Sequence, residues 1–181
     1  MNIPNQLSLL RILLIPVFAV LYLCGGKQPY YLLSAVVLLL SGLTDVLDGY
    51  IARRFHMTSE LGKILDPLAD KLTQITVLIC LVVLHPRLLW AVAVIFLKEL
   101  TMLIGGLIIL KKKIPMASSK WFGKVGTVMF YIATFIIIAF SDTISDDTIT
   151  GIVVGVMVYM LFTLAMYIPE FFKLKNNSKQ S

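Results

Sequence analysis

Six apolar runs, each about as long as a bilayer is thick, limit what this chain can fold into. They cover roughly residues 7–24, 30–53, 63–84, 88–110, 122–140 and 148–169. About 20 apolar residues span the hydrocarbon core as a helix, and a helix satisfies its own backbone polar groups where lipid cannot. Hydrophobic residues fill 59% of the 181 positions and charged residues 14%, against about 25% charged in a soluble domain. The expected fold is an all-α integral membrane protein. One six-helix bundle occupies 1–172, and a polar, basic tail occupies 173–181. The first run has little positive charge before it and no small-residue cleavage site after it, so it reads as a retained anchor that begins as a surface helix after Pro4-Asn5, and not as a secretory signal.

Charge sets the orientation. Thirteen basic residues fall near the N-terminus, in the second and fourth loops with their edges, and in the tail; two, Lys27 and Arg87, fall on the other side with Asp142, Asp146 and Asp147. By the positive-inside rule both termini are cytoplasmic. The basic flanks suit anionic lipid head groups; no soluble domain is present to offer nucleic acid a groove. Cys24 and Cys80 each sit inside an apolar run and belong to no Cys/His cluster. The small residues Gly105-Gly106 and Gly151 with Gly155 let membrane helices approach closely. Packing within the bundle is their preferred use, and a homodimer is expected as well.

Against this background four aspartates stand out, Asp45, Asp48, Asp66 and Asp70. Each costs about 2.5–3.5 kcal/mol at the centre of a membrane helix, so something must compensate. At about 100° per residue, Asp45, Asp48, Gly49 and Ala52 fall within one arc of a helix, and Gly62, Asp66 and Asp70 within another. The loop between the two spans is short, so the helices are expected to be antiparallel neighbours facing a shared space lined otherwise by Gly and Ala. Four close carboxylates cannot all stay ionised without counter-charge. Oxygen-only ligands favour a hard divalent ion, Mg²⁺ first and Mn²⁺ second. Two such ions about 3.5–4 Å apart clamp an in-line displacement at phosphorus. The residues alone therefore lead to a metal-dependent phosphorus site near the cytoplasmic surface, at a depth that suits a lipid with its pyrophosphate at the interface. Buried carboxylates also mark cation and proton transporters. The chain lacks the internal repeats common in those folds, and transport is the remote alternative.

The string Asp45-x2-Asp48-Gly49-x2-Ala52-Arg53-x8-Gly62-x3-Asp66-x3-Asp70 resembles, without a departure, the signature of the CDP-alcohol phosphotransferases. The resemblance implies the six-helix fold of that family and transfer of a phosphatidyl or similar group from a CDP-linked donor to an alcohol, with release of CMP. It also implies roles. Asp45, Asp48 and Asp66 hold metal. Asp70, beside them, takes the proton of the acceptor hydroxyl. Asp48, Gly49, Ala52, Arg53 and Gly62 border the cytidine nucleotide. The implied setting is a bacterial cell membrane, with the site open to the cytoplasm.

The acceptor is less plainly written. The opening "NIPNQLSLLRILLIPVF" resembles that of bacterial phosphatidylglycerophosphate synthases, which join CDP-diacylglycerol to glycerol 3-phosphate; cardiolipin synthases of the same fold, which use phosphatidylglycerol, open similarly. Lys98-Glu99 stands where the former carry Arg-Glu, and no second arginine follows. "SSKWFGKVGT" keeps Ser119, Gly123, Lys124 and Thr127 of the family's pattern but has Gly126 in place of a lysine. Lys98, Lys120 and Lys124 are the cations available to a phosphorylated acceptor. Glycerol 3-phosphate is the first choice and phosphatidylglycerol the alternative.

Overall fold

The structure is a computed structural model that describes residues 3–55, 62–111 and 121–177. The apolar runs are helices: α1 (Ile3–Gly25), α2 (Tyr30–Arg54), α3 (Gly62–Leu84), α4 (Leu89–Lys111), α5 (Trp121–Ala139) and α6 (Asp146–Asn177). A single 3₁₀ turn, Pro86–Leu88, leads into α4. Among the described residues, five helices are long and apolar enough to cross a membrane, namely all but α4. α1 runs unbroken from Ile3, without a separate surface segment. Pro4 is tolerated there because the first helical N–H groups lack partners in any case.

The turns show why the helices stop. Gly26 adopts φ +64° after α1, a conformation that a Cβ disfavours. Beside it, a Cβ on Gly25 would lie 2.1 Å from the Cβ of Tyr30, so glycine is required for α2 to fold back this tightly. The Gln28 backbone N–H donates to Asp142 (2.9 Å) and its side-chain amide to the Ala139 carbonyl (3.0 Å). These bonds tie the α1–α2 turn to the α5–α6 turn. At α6, the Thr148 N–H donates to Ser145 Oγ at 3.3 Å, and Asp146 and Asp147 occupy the positive end of the helix.

The bundle divides into two halves. A continuous apolar core, with Phe18, Tyr22, Leu38, Leu81, Phe130, Ile137 and Val153 among its members, joins all six helices. Its residues come from the second halves of α1, α3 and α5 and the first halves of α2, α4 and α6. All lie towards the end of the bundle away from the aspartates. Leucines, valines and isoleucines such as Leu13, Val46, Ile79, Leu97 and Val158 face outward, as expected for helices in lipid.

Two expectations are corrected. α2 and α3 are not close neighbours: α1 packs extensively against both, while direct contact between α2 and α3 is marginal among the described residues. A short loop limits the separation of two helices but does not stop a third from standing between them. One of the two glycine pairs expected in close packing is not used for it. Gly151 and Gly155 face open space, whereas Gly126 meets Tyr159 and Thr163, and Gly123 meets Tyr167. The small residues that seat α6 therefore lie on α5, its partner.

Candidate active site

The aspartates occupy the half of the bundle left without an apolar core, and α1 supplies much of their environment. Asn5, Ser8 and Arg11, three residues apart, are all buried, so one stripe of α1 is polar and faces inward. The Arg11 side chain is fully buried. Its Nη1 lies 2.6 Å from Asp45 Oδ1 and its Nη2 2.5 Å from Asp48 Oδ2. Ser8 Oγ lies 2.5 Å from Asp66 Oδ1 and 3.4 Å from Asp48 Oδ2. One helix thus links the carboxylates of the two helices on either side of it.

Asp70 has a different setting. Tyr131 of α5 donates to its Oδ1 at 3.3 Å, and Gln74, one turn further along α3, donates from Nε2 at 3.2 Å to Oδ2. Lys71 Nζ is 3.8 Å from Asp70 Oδ2 and is also hydrogen-bonded to Glu99 of α4. Glu99 in turn accepts from Lys98 at 2.6 Å. A buried carboxylate in hydrocarbon needs such donors. Here they come from two helices, Gln74 and Lys71 on α3 and Tyr131 on α5, and Glu99 of α4 shares the Lys71 charge.

The expected donor-side residues lie along this region. Gly49 and Ala52 are half-buried on α2, and Gly62 is buried at the start of α3. The side chain of Arg53 and the whole of Lys120 lie outside the described residues. Lys124 is exposed near the start of α5. Lys98, expected to serve an acceptor, spends its charge on Glu99. Sequence reasoning missed Ser8, Arg11, Gln74 and Tyr131. The available signal was the spacing of Asn5, Ser8 and Arg11, which puts three polar residues on one face of an apolar run.

Whether these residues suit a divalent cation can be tested on charge and donor type. Asp45, Asp48, Asp70 and Glu99 pair with Arg11, Lys71 and Lys98, and Asp66, held by Ser8, adds a fifth carboxylate, which leaves two negative charges in this cluster of described side chains. The ligand atoms on offer are all oxygens, and Asp45, at 39% exposure, is open to solvent. Among the described residues no three His, Cys, Asp or Glu side chains converge at ligating range. Arg11 and Ser8 hold the oxygens that would have to do so. Donor chemistry and residual charge fit a hard dication.

The sequence model of the CDP-alcohol phosphatidyltransferases matches residues 1–168. The chain belongs to this family. Its relatives include proteins named CDP-diacylglycerol–glycerol-3-phosphate 3-phosphatidyltransferase. That of Pseudomonas fluorescens is 43% identical over 91 residues, 49% of this chain and 45% of the relative. That of Aquifex aeolicus is 37% identical over 115 residues, 62% of each. A cardiolipin synthase (CMP-forming) of Streptomyces coelicolor is 35% identical over 130 residues, 70% of this chain and 60% of the relative. The chain thus spans roughly half to three-fifths of the length of these relatives.

Proposed function

We propose that this family member transfers a phosphatidyl group from CDP-diacylglycerol to glycerol 3-phosphate, releasing CMP and forming phosphatidylglycerophosphate. The observation that carries the proposal is the gathering of four signature aspartates in one half of the bundle, with Asp70 held apart from the others by its own donors. The names of the relatives supply the donor and the first choice of acceptor. In this reading all six helices span a bacterial cell membrane, both termini are cytoplasmic, and the site opens to the cytoplasm, where thirteen of the basic residues lie. A homodimer is part of the same reading, and cross-linking in intact membranes is its check.

The chemistry follows from the groups present. Asp45, Asp48 and Asp66, with Asp70 beside them, would hold Mg²⁺ or Mn²⁺. When bound, such ions neutralise the pyrophosphate and polarise the phosphorus under attack. Gly49, Ala52 and Gly62 leave room along α2 and α3 for the nucleotide, and Arg53 stands at the end of α2 for its phosphate charge. Asp70 takes the proton of the acceptor hydroxyl as that oxygen bonds to the phosphorus carrying the diacylglycerol. The bond from this phosphorus to the bridging oxygen breaks, and CMP leaves with that oxygen. Tyr131 and Gln74 keep Asp70 aimed throughout. Low dielectric and fixed geometry make such positioned groups effective.

A second acceptor, phosphatidylglycerol, is favoured by one observation: Lys98 is paired with Glu99, which leaves less cationic charge for a soluble phosphate. Purified protein given CDP-diacylglycerol, Mg²⁺ and one acceptor at a time separates the two. Glycerol 3-phosphate is expected to drive CMP release. Release with phosphatidylglycerol alone would replace the first acceptor by the second, and release with no acceptor tested would contradict phosphatidyl transfer.

A further inference from the structure

Arg11 is held in an incomplete way. Its guanidinium is fully buried between Asp45 and Asp48, yet Nε finds no hydrogen-bond partner, and Nη1 meets Asp45 by charge without hydrogen-bond geometry. A buried arginine whose whole task is structural is expected to have its donors satisfied, because each unsatisfied one carries the full desolvation cost. The two oxygens it does reach, Asp45 Oδ1 and Asp48 Oδ2, belong to the carboxylates assigned above to a divalent cation. A guanidinium and a metal ion cannot both take the same lone pairs at bonding distance. Ser8 completes the picture: its hydroxyl contacts Asp66 and Asp48, so one face of α1 occupies oxygens on both sides of the site.

We infer that Arg11 is an internal counter-ion that competes with the divalent cation for Asp45 and Asp48. It is a positioning residue, and it sets how readily the cation binds when no donor is present. The inference rests on the reading that these aspartates take a divalent cation. Its physical content is a matter of sign. With Arg11 in place, a cation that takes these two oxygens must displace an ion pair from Asp45 and a charge-assisted hydrogen bond from Asp48. Without Arg11 that cost disappears, and mutual repulsion among the carboxylates favours the cation further. An arginine that merely props the aspartates in place predicts the reverse, because its loss would let them drift and weaken the site.

The test is Mn²⁺ binding to the full-length protein in detergent, without donor or acceptor, followed by the electron paramagnetic resonance signal of free Mn²⁺. Coupling free energies between interacting groups and a ligand commonly amount to about 5–150-fold in affinity, so Arg11→Gln is expected to bind Mn²⁺ at least about fivefold more tightly than the wild type. Its thermal transition should be lower without Mn²⁺ and rise further on adding it. Arg11→Lys keeps a charge that can reach only one carboxylate at a time; it is expected to bind with intermediate affinity, and it serves as the deciding variant if the glutamine form does not fold. Unchanged or weaker Mn²⁺ binding in these variants, with the wild type binding normally, overturns the role given to Arg11. Absence of Mn²⁺ binding in wild type and variants alike overturns the metal reading itself, and the inference with it. Asp48→Asn, expected to lose most of the binding, ties the signal to this site.

Discussion

Asp70 owes its orientation to side chains that lie outside the signature motif. Tyr131 reaches it from α5 and Gln74 from the next turn of α3. A hydrogen bond to a charged group is worth about 1.5–3 kcal/mol, and each 1.4 kcal/mol is tenfold in rate. Tyr131→Phe removes one such bond and leaves the ring in place. We expect kcat to fall about tenfold with the donor KM unchanged, measured by steady-state CMP release. A change in KM with kcat preserved would show Tyr131 serving donor binding instead. The four aspartates were legible from the sequence because a carboxylate in a membrane span is too costly to be incidental. Arg11 read only as a charge near the cytoplasmic surface, and Tyr131 as one aromatic in an apolar run. Their roles depend on which helix stands beside which, and helical periodicity does not encode that.

Among the elements, the helix boundaries followed closely from the apolar runs and the turn residues, except that α6 runs on to Asn177, eight residues past its apolar run and into the basic tail, whereas the neighbour relations did not. The interposition of α1 between α2 and α3 and the seating of α6 on Gly123 and Gly126 both required three-dimensional packing to become visible. The end of the bundle away from the aspartates offers a test of one such junction. His85 follows α3, and its Nδ1 lies 3.2 Å from Asp146 Oδ1 at the start of α6; Arg87 pairs with Asp146 at 3.3 Å and with Asp147 at 3.5 Å. Burial, with a further push from Arg87, lowers the His85 pKa below the usual histidine value of 6.5. The folded protein therefore binds this proton less readily than the unfolded chain does. Stability should fall as pH drops through about 6.5 towards the lowered value, and level off once both states are protonated. Thermal unfolding in detergent between pH 8 and pH 5, about the range over which histidine titrates, is expected to give a shallower slope for His85→Gln than for the wild type. Parallel slopes would mean that the histidine does not contribute.

At the scale of the whole molecule, one half of the bundle is a packed apolar core and the other half is held together by charges. The core fixes the helices at one end, so the rest of α1, α2, α3 and α4 can hold carboxylates, lysines and an arginine. The membrane class, the six helices and the family were legible because lipid leaves so few ways to fold and so few excuses for buried charge. The acceptor was not, since it depends on a few cations, and the charge of one of them, Lys98, is shared with Glu99. The central claim is that Asp70 is the base of a phosphatidyl transfer, and CMP release from CDP-diacylglycerol with Mg²⁺ and glycerol 3-phosphate tests it most directly. Wild-type protein should release CMP only with acceptor present. Asp70→Asn, with its thermal transition retained, should lose about 10²–10⁴-fold of that rate; a mutant as fast as the wild type would contradict the account.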